Sequence, residues 1–241
     1  GVRIELNRKF IEAKGEVFLQ TDLLKRLEVN TSYSNYYHRE LESNGSLGTE
    51  FSLLTFNSSL LFHLDIGNGF QNSKAGLWFE NRDFSAGGFV YTPASIERTG
   101  AAYVYTEYPI GKFSLQGSFR FDGRIIEPVE KDSRIIGMIN KRTFTNFSGA
   151  LSGVYEIGGG FFSGLTINRA LRFPGIEELY SEGPHLAAYS FEVGNPKLKE
   201  EHGIGTEIFI RYEGTERKFQ LTFFRNDIRN YIYPTNTGNI N

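Results

Sequence analysis

From Lys112 to Ile125 the chain alternates without interruption. Phe113, Leu115, Gly117, Phe119, Phe121, Gly123 and Ile125 hold one parity, and Lys112, Ser114, Gln116, Ser118, Arg120, Asp122 and Arg124 hold the other. Successive side chains of a strand point to opposite faces, so this segment reads as one strand with an apolar face and a wholly polar one. A helical period near 3.6 would mix the two sets around the helix. Globular strands mostly run to about 5–6 residues, and this alternation is far longer.

The rhythm recurs. Segment 143–157 places Phe147, Leu151, Tyr155 and Ile157 on one face, and 201–213 does the same with Ile204, Ile208, Ile210 and Tyr212. In 217–233, Phe219, Leu221 and Phe223 stand against Lys218, Gln220, Thr222 and Asn226. With 2–12, 23–39, 49–64, 71–84, 96–108 and 161–172, the pattern gives about ten antiparallel strands. Short turns are expected near 65–70, 109–111, 158–160 and 213–216, and longer connections near 40–48, 85–95, 127–142 and 173–199. Long amphipathic strands joined by alternately short and long connections are the pattern of an all-β, antiparallel transmembrane barrel. A soluble β-sandwich would have shorter strands and no such alternation of loop length.

A mean hydropathy of −0.33 is compatible with that reading, because strands that are apolar outside and polar inside average out. No apolar run approaches the ~18 residues of a membrane-crossing helix, and VRIELNRKF at the start is no apolar leader. A net charge of −2 gives no attraction for nucleic acid. With no cysteine, disulfide frameworks and thiolate zinc sites are excluded. There is no Gly-x-Ser-x-Gly elbow, Walker A loop or dinucleotide fingerprint, and Gly158-Gly159-Gly160 reads as a turn. His38, His63, His185 and His202 are the only histidines. No catalytic residue is assigned, and an enzyme is not expected.

Metal or ligand contact has better candidates. His38 and Glu40 are two apart and share a strand face, and Glu42 continues their parity. Imidazole and carboxylate make a zinc set without cysteine. His185 lies in the long 173–199 connection with Glu182 beside it. If that loop folds over the barrel mouth, His185 completes a His38, Glu40, His185 metal set, and Glu182 joins the substrate contacts. The plainer alternative leaves His38 and Glu40 as solvated rim residues and His185 as loop packing.

The long loop also carries a family likeness. RALRFPGIEELYSEGPHLAAYSFEVGNPKLKEE, through Arg172, Phe173, Pro174, Glu178, Leu179, then Gly194, Asn195, Pro196, Leu198 and Glu201, resembles the Arg-x-Pro…Glu-Leu and Gly-Asn-Pro-x-Leu-x-x-Glu segments of TonB-dependent outer-membrane receptors. TSYSNYYHRELESNGSLGTEF, through Tyr36, His38, Glu40, Glu42, Gly48, Thr49 and Phe51, and NRDFSAGG at 81–88, resemble stretches of the zinc- and haem-associated subgroup. The matches span roughly 30–230.

The resemblance implies a barrel of about 22 strands around a plug domain. Ten strands cannot close it, so residues 1–241 are expected to be a partial barrel domain, lacking the plug and the terminal strands. It implies an outer-membrane receptor of a Gram-negative bacterium, taking up a scarce nutrient by TonB-coupled transport. The transported ligand would be a metal ion or chelate (zinc and haem first, a siderophore next), with no resident cofactor. The implied partners are outer-membrane lipid, an extracellular small ligand or metal, and TonB through the plug. Lys112, Arg120, Asp122 and Arg124 are expected to face that plug. Arg172 is expected to pair with a loop carboxylate such as Glu178, and Pro174, Gly194, Asn195, Pro196 and Glu201 to serve the fold. An open slice exposes two strand edges, through which it is expected to self-associate. The alternative of another class is a non-transporting outer-membrane adhesin or structural barrel.

Overall fold

The structure, a computed structural model, describes residues 3–88, 92–185, 190–236 and 238, the side chain of His185 excepted. In chain order come β1 (Arg3–Phe18), β2 (Leu24–Leu41), β3 (Leu47–Leu64), β4 (Gln71–Gly88), β5 (Ser95–Ile110) and β6 (Phe113–Pro128). Two short pieces follow, β7 (Asp132–Ser133) and β8 (Gly137–Met138), then β9 (Arg142–Gly158) and β10 (Phe161–Arg172). Next are α1 (Ile176–Tyr180), β11 (Glu182–His185) and β12 (Ser190–Val193), and finally β13 (Glu201–Glu213) and β14 (Lys218–Arg229). The ten long strands form one antiparallel sheet in the order β1-β2-β3-β4-β5-β6-β9-β10-β13-β14. Every neighbour in that sheet is the next long strand along the chain.

Directly opposed residues share a face, so register carries each strand's parity across the sheet. Val104 faces Phe119, Phe119 faces Gly149, and Gly149 faces Arg169. The resulting apolar face includes Leu77, Phe119, Phe147, Leu151, Ile208 and Phe223, all exposed. Along β9 this band runs from Phe147 to Ile157. At ~3.4 Å per residue and a tilt near 40°, that is about 25 Å, the height of a hydrocarbon-facing band. Tyr108, Phe113, Tyr155, Phe161, Tyr212 and Phe219 gather at its short-turn end. Phe161 and Tyr212 have ring centroids 4.7 Å apart, and Phe70 and Tyr108 4.9 Å.

The other face carries the polar parity of β6. The buried apolar cluster lies on this side, under the long loop: Ile126 and Phe144 from the wall meet Ile139, Phe173, Ile176, Leu179 and Tyr180. A barrel turns this face to its lumen, so the loop folds inward over the mouth rather than outward.

Several boundaries differ from the pattern. β1 continues through 13–18, where Lys14 and Glu16 share the parity of Phe18, because β2 pairs with its backbone to Phe18. The 40–48 connection shrinks to a tight turn closed by Glu42 N–H to Ser46 O at 2.8 Å. β14 stops at Arg229 rather than 233. The 158–160 turn holds: Gly158, Gly159 and Gly160 have φ of 115°, 61° and 86°, a conformation only glycine adopts readily.

Candidate functional site

The mouth of the polar face is built by residues 173–185 and 190–199. Pro174 and Gly175 stop β10, and Glu178 accepts a hydrogen bond from Gly175 N–H at 2.8 Å, which starts α1. One turn of helix then buries Ile176, Leu179 and Tyr180. The Tyr180 hydroxyl donates to Asn140 O at 2.6 Å, and burial raises its pKa. The Gly194-Asn195-Pro196 turn closes against this helix. Gly194 N–H donates to Ser181 O at 2.7 Å and Asn195 N–H to Glu178 O at 2.8 Å. A Cβ on Gly194 would stand 2.5 Å from Leu179 C and Tyr180 N, so glycine is required for that approach rather than for its φ.

Arg172 ties the cap to the wall. Its Nη1 donates to both Glu178 oxygens at 2.9 Å, and its Nε and Nη2 donate to Glu201 at 2.7 and 3.0 Å. The expected pairing with Glu178 is present, and Glu201 joins it. Arg142 holds the far side, donating to Pro196 O and, at 2.8 Å, to Leu198 O. Hydrogen bonds from Arg172 lower the Glu201 pKa. A carboxylate whose folded pKa lies below its unfolded value stabilises above the latter and loses that contribution as pH falls through the former. Protease cleavage within 173–199 is therefore expected to accelerate only below about pH 4. Arg172→Met is expected to speed cleavage at neutral pH and to flatten this acid dependence; a profile identical to the wild type would refute it.

Beneath the cap, Glu97 is almost fully buried, its side chain 2% exposed. Arg124 donates to its Oε2, and Arg82 stands 3.5 Å from the same oxygen. Among the described residues, Glu97 Oε1 and Arg124 Nε have no hydrogen-bond partner. Next along the polar face, Arg120 grips Asp122 through Nε at 2.9 and 3.0 Å and lies 5.6 Å from the Trp78 ring and 5.7 Å from Tyr103. A pocket of about 520 Å³ opens there between Tyr103, Tyr105, Ser118, Arg120, Ser148 and Asn168. Of the charges expected to face a plug, Arg120, Asp122 and Arg124 are thus engaged within the wall. Sequence reasoning missed Glu97, Arg142, Trp78 and Tyr103. The parity of β4, β5 and β9 holds their signal, because register puts all four on the same face as Arg120 and Arg124.

His38 and Glu40 do share the polar face at its mouth. His38 Nε2 lies 4.0 Å from Glu40 Oε1. The imidazole sits between Tyr36 and Phe51, centroids at 5.4 and 4.7 Å, and its Nδ1 is buried with no partner among the described residues. Glu182 sits on the β11–β12 hairpin, with Oε1 accepting from Arg134 N–H at 3.0 Å and Oε2 buried without a partner among the described residues. His185 ends β11 opposite Ser190, and its side chain lies outside the described residues. Among the described residues, no three His, Asp or Glu side chains converge on one point.

A family profile described as "TonB dependent receptor-like, beta-barrel" matches residues 9–241. Solved structures share the architecture. The copper transporter OprC aligns with a TM-score of 0.77 at 16% identity, over 95% of this chain and 40% of its own. The FrpB iron transporter of Neisseria meningitidis gives 0.71 at 13%, over 93% and 37%. The Serratia marcescens hemophore receptor HasR, solved as a double mutant with its hemophore HasA and heme, gives 0.72 at 15%, over 95% and 41%. The chain thus spans about two fifths of the length of these proteins.

Proposed function

Since this chain belongs to the TonB-dependent receptor-like β-barrel family, we propose that residues 1–241 are part of the barrel wall of an outer-membrane receptor that imports a metal ion or metal chelate. The barrel is a Gram-negative one of about 22 strands around a plug, and TonB acts through that plug. The apolar face meets lipid, and the polar face lines the lumen. Structural relatives named as copper, iron and heme-linked transporters or receptors support this class of cargo and a non-enzymatic role.

The observation that carries the reading is the cap: residues 173–185 and 190–199 are packed and hydrogen-bonded onto the polar face, at the end away from the short turns. A ligand arriving there meets His38 and Glu40 on the wall, with Glu182 and His185 contributed by the cap. Arg172, Pro174, Glu178, Gly194, Asn195, Pro196 and Glu201 hold the cap in place. His38 is held edge-on to Tyr36 and against Phe51, which fixes the ring's orientation for a ligand.

Calorimetry on the full-length protein tests this, titrating zinc and then haem beside a His38→Ala, Glu40→Ala, His185→Ala variant. Saturable zinc binding abolished by the variant is expected. Zinc binding that survives the triple change would return these residues to rim and packing roles. Haem binding alone would point to the larger chelate.

A further inference from the structure

The apolar face is not uniformly bulky. Gly117 on β6 and Gly149 on β9 leave a trough of about 680 Å³ walled by Val104, Phe119, Phe147, Leu151, Ile167 and Ile204. Register explains it: Thr106, Gly117, Leu151 and Ile167 form one cross-strand row, and Val104, Phe119, Gly149 and Arg169 the row beside it. The glycines fall where neighbouring rows carry phenylalanines. Phe119 and Phe147 stack at 5.8 Å along one wall.

One charge stands at the head of this trough. Arg169 lies opposite Gly149, and its guanidinium sits 4.2 Å over the Phe147 ring and donates to Phe147 O. Among the described residues it has no carboxylate partner. Three other arginines on this face do: Arg39 pairs with Glu5, Arg98 with Glu127 and Arg225 with Asp227. The adjacent row toward the long-loop end holds Leu171, His202 and Arg229, and neither His202 nor Arg229 has an acidic partner among the described residues. An uncompensated cation at the edge of an apolar band is costly unless an anion meets it.

We propose that this trough and Arg169 form a binding site for a phosphate-headed lipid of the leaflet on the long-loop side. One acyl chain fills the trough over Gly117 and Gly149. The phosphate accepts hydrogen bonds from Arg169, and Arg229 supplies further positive charge, with His202 in the same row. Arg169 is suited because its planar guanidinium stacks on Phe147 while still presenting donors to a phosphate. The site rests on the reading that the apolar face lies in lipid.

The test is native mass spectrometry of the full-length protein purified from outer membranes in mild detergent. It is then titrated with dioleoylphosphatidic acid, dioleoylglycerol or inorganic phosphate. Two variants separate head from chain. Arg169→Gln removes the cation. Gly117→Phe fills the trough, and it is compatible with the wall because a Cβ there meets nothing within 4 Å. The expected result is a retained phosphatidic acid adduct whose occupancy falls about tenfold in Arg169→Gln and comparably in Gly117→Phe. Dioleoylglycerol should bind weakly, without dependence on Arg169, and inorganic phosphate should not bind. Equal phosphatidic acid occupancy in wild type and both variants would overturn the site. Phosphate binding without lipid would replace it with a simple anion site. A wild-type protein absent from the outer-membrane fraction would instead overturn the membrane reading beneath it.

Discussion

Replacing Glu97 with alanine is expected to destabilise the capped end of the sheet by about 3–5 kcal/mol, the cost of stranding a buried charge. Glu97 is 2% exposed, and both Arg124 and Arg82 turn to it. Alanine would leave two guanidinium groups facing each other in a half-buried site with no anion between them. Glu97 also stands directly opposite Ile126, a wall residue of the apolar cluster under the cap, so the disturbance should reach the loop. Amide exchange at 95–98 and 124–127 is expected to rise in detergent-solubilised protein. A Glu97→Met, Arg124→Leu double variant should recover much of the loss, because an apolar pair of similar volume replaces an ion pair at little net cost. Unchanged exchange in the single variant would mean that solvent already compensates these charges.

Leu179→Ala is expected to be nearly as damaging, but locally. Leu179 is wholly buried in the only turn of α1, and deleting a buried leucine costs about 2–5 kcal/mol. Gly194 packs directly on the Leu179 backbone, so collapse around the cavity is restricted. The wall should survive, since its strands are held by their own ladders. The prediction is therefore a split outcome: rapid protease cleavage within 173–199, with heat-modified gel mobility of the full-length barrel unchanged. If the barrel itself fails to form, the cap takes part in its assembly rather than sitting on a finished wall.

Much of this architecture was legible because period two is hard to imitate. Residues 161–172 and 201–213 were bounded correctly, since both parities are unambiguous and each ends at a Gly or Pro signal. β1 was cut short because Lys14 and Glu16 fall with Phe10 and Phe18 on one parity, so no single face looked apolar, and only pairing with β2 holds it extended. The helix at 176–180 was missed for a different reason. One turn has no periodicity to detect, although Pro174, Gly175 and the Glu177–Glu178 pair form a start signal. The Arg172–Glu178 pairing could be anticipated from charge and spacing. Glu97 could not, because a single glutamate in an alternating strand looks like every other lumen residue until Arg82 and Arg124 arrive from both neighbouring strands. His38 and Glu40 were correctly placed on one face by parity, while their position relative to Glu182 depends on how the loop folds.

The strictly sequential order of the ten long strands has a genetic consequence. Each strand bonds only to the strands just before and after it in the sheet, so no register depends on a distant part of the gene. Duplicating or deleting one whole hairpin would leave the alignment of every other pair intact, changing only the girth of the wall. A single-residue insertion inside a strand does the opposite. It swaps the wet and greasy parities from that point to the next turn. Such a wall tolerates recombination in units of hairpins and resists frame-preserving insertions of one residue within them, so drift in length should collect in the loops.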